Sequence, residues 1–321
     1  MTLHSLTFPS HDGECHAWHF PAASDRLATD AGRPAVVMAH GFAATKDCGL
    51  AGFAEHLVRA GLDVLAFDYR GFGDSTGQPR QVISLAGQIQ DYRSALNYAA
   101  RLPGIDARRL VLWGVSLSGG TVLEVAAGRT DIAAIVALTP LISGLPDRTR
   151  RSLPETSLMS RTCTAVATVR LLLRGIQDKR AAATGRTRLM APAVGWPHHT
   201  AFLRVPGAFD DYASIAGPNW RNEVNASFAL DALAHRPIRF AAKVRCPVLF
   251  QIADFDRSVS VDAAMRAATR ARAQIRHYPC DHFDVYPGKP WHEQVREHQA
   301  QFLTRTLTKN AATATGILGT Q

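Results

Sequence analysis

The stretch 111-VLWGVSLSGG-120 decides how this chain is read. An apolar run reaches Trp113, turns at Gly114, presents Ser116, and continues through Ser118, Gly119 and Gly120 into a helical pattern. The run RRLVLWGV (108–115) does not alternate apolar with polar residues as a half-exposed strand would, so it reads as a strand buried on both faces. A serine on a tight turn between such a strand and a helix lies beyond the strand's C-terminal end, where open parallel sheets bind ligands. Gly114 lets helix and strand approach, and the glycines after the serine let the helix pack on the sheet. The helix also offers backbone amides at its N-terminus.

Outward from this point, strands and helices alternate. Two short alternating segments, 3–8 and 15–20, predict an opening hairpin around His11-Asp12-Gly13. Apolar strands are predicted at 34–40, 62–69, 132–141, 246–254 and 274–279. Helices are predicted at 49–60, 84–101, 118–128, 260–272 and 291–307. Continuous apolar strands separated by helices predict an α/β fold with a mostly parallel central sheet and helices on both faces. Residues 142–243 interrupt the alternation: an Arg-rich opening, a helix-like run CTAVATVRLLLRG, then turns rich in Pro and aromatic residues. The expected organisation is a core of 1–141 and 244–308, an inserted cap or lid of 142–243 over the sheet's C-terminal edge, and a flexible tail of 309–321.

Composition narrows the function classes. The 321 residues are 46% apolar and 20% charged, enough for a large globular core. No apolar run reaches the roughly 18 residues of a membrane span. The N-terminus has no basic start followed by an apolar segment, so no secretory signal is expected. Five scattered cysteines (15, 48, 163, 246, 280), with no CxxC pair, fit a reduced, cytoplasmic chain. The formal charge of +9 comes largely from Arg in 145–190 and 236–276; without a nucleic-acid motif it reads as a solvated basic surface, with no nucleic-acid partner. GFGDST lacks the third glycine of a dinucleotide loop, and His198-His199 are adjacent rather than four apart. No cofactor and no metal are therefore expected. Asp68 and Arg70, in DYRGFGDS, read as a structural ion pair beside the glycine turn.

These features resemble the α/β-hydrolase superfamily, over about 34–141 and 244–306. The similarity points to its serine-hydrolase branch: dienelactone-hydrolase-like and X-prolyl-peptidase-like esterases with a GxSxSGG form, and related polyketide acyl transferases. The superfamily's G-x-S-x-G appears as Gly114-Val115-Ser116-Leu117-Ser118, its last glycine displaced to 119 and 120. The resemblance implies a nucleophile at Ser116, an acid in ADFD at Asp256, with Asp254 as the alternative, and a base in CDHF at His282. His277, within the strand, reads as structural. Asp281 stands where the superfamily has glycine, and a carboxylate there is expected to raise the pKa of the base or reshape the turn. The loop AHGF implies an oxyanion hole from the amides of Phe42 and Leu117, with His40 supporting the loop or facing substrate. In the cap, Trp196, His198, Phe202 and Trp220 are candidate substrate contacts, with Phe209 and Tyr212 adding aromatic surface. Leu171–Leu173 are a candidate apolar wall, and Arg204 or Arg221 a candidate anion contact.

The expected activity is hydrolysis of a small-molecule carboxylic ester or thioester through an acyl-enzyme. Two alternatives stand beside it: acyl transfer in polyketide-type secondary metabolism, and a non-catalytic small-molecule binder on the same fold. Cleavage of C–C bonds or peptides ranks below these, and a homodimer is left open.

Overall fold

The structure, a computed structural model, describes residues 2–144 and 158–318, with 158–161 and 309–318 as backbone only. The Arg-rich opening of the predicted cap, 145–157, lies outside the described residues.

The hairpin forms as the sequence suggests. β1 (His4–Ser10) and β2 (Gly13–Phe20) pair antiparallel, from His4 with His19 to Ser10 with Gly13. Six parallel strands follow: β3 (Arg33–Ala39), β4 (Asp63–Phe67), β5 (Ile105–Val115), β6 (Ile132–Leu138), β9 (Val248–Ala253) and β10 (Gln274–Tyr278). The eight-stranded sheet has the order β1-β2-β4-β3-β5-β6-β9-β10, with β2 also antiparallel to β4. β5 is central: Val111 to Gly114 pair with β3 on one side and with β6 on the other.

The apolar runs are continuous because both faces of the sheet are covered. Along β5, Leu110 and Leu112 join one core, whereas Val111, Trp113 and Val115 join the other. α2 (Leu85–Ala99), α3 (Leu117–Ala126) and α8 (Val261–Arg270) cover the first face; α1 (Leu50–Arg59) and α9 (His292–Leu318) cover the second. Ser84 and Ser260 cap α2 and α8 by accepting from Gly87 N and Ala263 N, both at 3.1 Å. The backbone of α9 is helical through Leu318, so most of the segment read as a tail is helical. None of the described helices is long and apolar enough to cross a membrane.

Between β6 and β9 the described residues add no strand to the main sheet. They form α4 (Leu158–Ala183), β7 (Met190–Ala191), α5 (Ala208–Ala213), β8 (Val224–Asn225), α6 (Phe228–Ala234) and α7 (Ile238–Ala241), with β7 and β8 paired. α4 runs well beyond the helix-like stretch 163–175.

Asp68 and Arg70 do not pair with each other. The fully buried Lys46 ammonium lies 2.7 Å from Asp68 Oδ2 and 2.6 Å from Asp74 Oδ2, whereas Arg70 Nε donates to Asp91 Oδ1 at 2.6 Å. The chain turns after Phe67, the end of β4, so side chains two apart no longer share a sheet face. Lys46, in the loop that follows β3, is the cation that reaches the buried carboxylate.

Candidate active site

Ser116 holds an unusual conformation. Its φ is 56° and ψ −117°, a left-handed backbone that costs a side-chain-bearing residue about 1–3 kcal/mol. Neighbouring contacts enforce it. Ser116 N donates to Leu138 O at 2.9 Å, and Ser116 O accepts from Leu141 N at 2.8 Å. Gly114 is required because a Cβ there would lie 2.4 Å from Ser118 O; at Gly120 it would lie 2.2 Å from Leu141 O. Ser118, where the superfamily pattern has glycine, is fully buried. Its oxygen accepts from Val115 N (2.9 Å) and its hydroxyl donates to Ala39 O (2.9 Å), with Val115 O as the alternative acceptor (3.0 Å). It thus ties the serine turn to the end of β3, a role that the sequence motif by itself does not reveal.

The end of β3 leads into the loop His40-Gly41-Phe42. A Cβ on Gly41 would sit 3.0 Å from the Ser116 Cβ and 3.1 Å from Val115 O, so this loop passes directly against the serine turn. His40 is buried; its Nδ1–H donates to Gly41 O at 2.9 Å. Burial lowers the His40 pKa, with Asp68 opposing, which keeps the ring neutral. The Phe42 carbonyl accepts from the Tyr212 hydroxyl, which comes from the segment between β6 and β9. Leu117 is the first residue of α3, and an amide at that position has no acceptor within its helix.

Asp256 and Asp254 separate cleanly. Asp256 follows β9, and its Oδ2 accepts from Nδ1 of His282, which follows β10, at 2.6 Å. Its Oδ1 accepts from Ser258 N (2.7 Å) and Val259 N (2.8 Å), fixing the carboxylate. Asp254 instead lies 2.6 Å from His277 Nδ1 on the partly exposed flank of the sheet. Because Nδ1 of His282 donates to Asp256, its Nε2 is left as an acceptor. Burial of the imidazole pushes its pKa down, but the Asp256 charge and hydrogen bond, with the Asp281 charge, outweigh this and leave it raised.

Ser116, Asp256 and His282 line one cavity of about 1060 Å³. Phe42, Leu141, Phe202, Leu203 and Phe228 give it an apolar wall. The rings of Phe42, Phe202 and Phe228 pack together, with centroids 5.2 Å (Phe42–Phe202), 5.2 Å (Phe42–Phe228) and 5.7 Å (Phe202–Phe228) apart. Cys280 also lines the cavity, but burial pushes its thiol up to about 12 and holds it protonated. Of the proposed substrate contacts, only Phe202 reaches the cavity. Trp196 is 44% exposed and stacks on Phe209; Trp220 stacks on Tyr212; His198 is exposed; and His40 lies behind the loop. Arg204 donates to Ala201 O at 2.6 Å and to the Thr168 hydroxyl, and Leu173 faces outward. Phe228 was missed because its polar flank (VNASFALDALAH) carries no aromatic-turn signal. The potential metal ligands His16, Asp68 and Asp74 cluster, but Lys46 already lies against both carboxylates.

A strained serine, a buried carboxylate–imidazole pair and a mostly parallel sheet define a serine hydrolase of the α/β type. A family model described as "Serine aminopeptidase, S33" matches residues 30–299, and the chain belongs to this family of α/β hydrolases. "Quorum-quenching protein AidA" of Acinetobacter baumannii (strain MDR-ZJ06) is 34% identical over 305 residues, 94% of each chain. "Thiohydrolase aneE" of Aspergillus aculeatus (strain ATCC 16872 / CBS 172.66 / WB 5094) is 42% identical over 113 residues, 35% of this chain and 36% of that one. "Polyketide transferase grgF" of Penicillium sp is 32% identical over 146 residues, 44% of this chain and 47% of its own. The crystal structure of α/β hydrolase GrgF from Penicillium sp. sh18 matches with a TM-score of 0.75 at 20% identity, covering 96% of this chain and 100% of that one.

Proposed function

We propose that the protein hydrolyses a small carboxylic ester or thioester through an acyl-enzyme on Ser116. His282 takes the hydroxyl proton as Ser116 attacks the carbonyl carbon, then returns it to the leaving group. Asp256 holds the imidazole in the required tautomer and stabilises its charged form. The amides of Phe42 and Leu117 receive the negative charge that develops on the carbonyl oxygen. Water, activated by His282, then releases the acid. The observation that carries the reading is the 2.6 Å contact of His282 Nδ1 with Asp256 Oδ2, beside a cavity that Ser116 also lines.

Residues 142–243 act as the cap in this reading, since Phe202, Leu203 and Phe228 furnish the apolar wall. That wall suits the acyl chain, and the relatives named thiohydrolase and polyketide transferase support a thioester or a transfer reaction. Acyl transfer is the second reading, favoured by a volume of about 1060 Å³ that leaves room for an acceptor beside the acyl chain. We place the chain in the cytoplasm, as all five cysteines are free, and expect small-molecule rather than nucleic-acid partners. A homodimer is tested by sedimentation equilibrium.

The deciding experiment treats wild type and Ser116→Ala with a fluorophosphonate and with nitrophenyl esters and acyl thioesters. Labelling of Ser116, with loss of turnover in the variant, is expected. A Ser116→Ala enzyme with full activity would refute the proposal. Product analysis with added alcohols or amines separates transfer from hydrolysis.

A further inference from the structure

The parallel pairing of β9 with β10 ends at Ala253 and Tyr278, yet both loops beyond it remain in fixed register. Phe255 N still donates to Cys280 O at 3.0 Å. Past that point one side chain takes over. Asp281 Oδ1 accepts from the amide of Arg257, the residue after Asp256, and from the amide of His282, both at 2.8 Å. Asp281 Oδ2 accepts from Arg257 Nε. The guanidinium continues into the segment between β6 and β9: Nη1 donates to Pro206 O at 2.6 Å and Nη2 lies 3.4 Å from Asp211 Oδ2. Asp284 Oδ2 holds the other side of the turn by accepting from Asp281 N at 2.9 Å.

We propose that Asp281 and Arg257 are positioning residues for the base: the Asp281 carboxylate clips the loop of His282 to the loop of Asp256, and Arg257 fastens both to residues 206–211. The inference rests on the acyl-enzyme reading above. Both residues also line the cavity, but the hydrogen bonds described above join them to backbone, to each other and to Asp211, not to the Ser116 hydroxyl or the His282 ring. Each acts by fixing where the imidazole stands, and a small misplacement of such a group costs up to about 100-fold in rate.

The charges set a readout that a purely structural role would not move. The groups facing His282 are Asp256 and Asp281, and both raise its pKa against the effect of burial. Behind Asp281 stand Arg257 with Asp211, and in its own loop Asp284, with Lys289 acting on Asp211. The Tyr286 phenol and the Cys280 thiol, both raised mainly by burial, are uncharged at neutral pH. Removing the Asp281 charge therefore lowers the His282 pKa. Removing the Arg257 charge leaves Asp281 uncompensated and raises it.

The test measures kcat, KM and the pH profile of kcat/KM for wild type, Asp281→Asn, Arg257→Met and the double variant, with active enzyme counted by fluorophosphonate. Each single variant is expected to lose about 10- to 100-fold in kcat with KM little changed. The acidic limb should move to lower pH in Asp281→Asn and to higher pH in Arg257→Met. The double variant should lose no more than the worse single, because a broken clip cannot be broken twice. Wild-type kcat and an unmoved limb in folded Asp281→Asn overturn the proposal, as does a limb that moves the same way in both variants. Should Arg257→Met not fold, Asp281→Asn, which keeps the side-chain shape, decides alone. A wild type that does not label at Ser116 overturns the acyl-enzyme reading and this inference together; a labelled wild type with an unaffected Asp281→Asn overturns this inference only.

Discussion

At Ser116, stability and reactivity oppose each other. A φ of 56° is tolerable for glycine and strained for serine, so Ser116→Gly should stabilise the fold by about 1 kcal/mol while abolishing turnover. Urea denaturation beside an ester assay checks both halves, and a less stable glycine variant would show that the turn stores no strain. His282 makes a second prediction. Its raised pKa means that the neutral base appears only above the ordinary histidine value of 6.5, so kcat/KM should climb with pH through a midpoint higher than that. The stability linkage has the matching sign. A group raised in the folded state contributes fully below 6.5 and loses that contribution as pH rises through the folded value. Titrating the imidazole by NMR in Ser116→Ala would locate the midpoint, and one below 6.5 would contradict it.

At the scale of elements, the close approaches are backbone against backbone. A methyl at Gly120 would meet Leu141 O at 2.2 Å, so α3 could not keep its distance from the chain after β6. Gly120→Ala should cost at least about 1–3 kcal/mol, seen as a lowered midpoint in denaturant, with esterase activity falling as the serine turn shifts. The loop after β3 depends on charge instead. Lys46 and Asp68 are both fully buried, and Asp68 Oδ1 also accepts from Lys46 N at 2.6 Å. Lys46→Met leaves that carboxylate without its cation and should destabilise by about 3–5 kcal/mol. Adding Asp68→Asn should recover part of the loss. A Lys46→Met protein as stable as wild type would mean that the carboxylate is satisfied by backbone amides alone.

For the whole molecule, the proposed function puts selectivity in the way the described part of the segment between β6 and β9 meets the sheet. Phe202 and Phe228 come from that segment and Phe42 from the core, so the acyl wall exists only where the two meet. Phe202→Ala should raise kcat/KM for bulky or long acyl esters relative to acetyl by about tenfold, measured across a chain-length series. An unchanged ratio would place the acyl group elsewhere in the cavity.

Much of this was legible in the sequence because it is local or periodic. The buried strands read as unbroken apolar runs, and the demand for glycine at 114 is local, since a Cβ there would meet Ser118 O four residues on. The order of Ser116, Asp256 and His282 follows the strand ends, since each side chain leaves the sheet at the same rim. What only the tertiary structure decided are partnerships between residues distant in sequence: Lys46 rather than Arg70 for Asp68, Phe202 rather than Trp196 at the cavity, Arg257 as the partner of Asp281. Periodicity fixes which face a side chain takes. It carries no information about which of several cations or rings, tens of residues away, arrives at that face once the chain has closed.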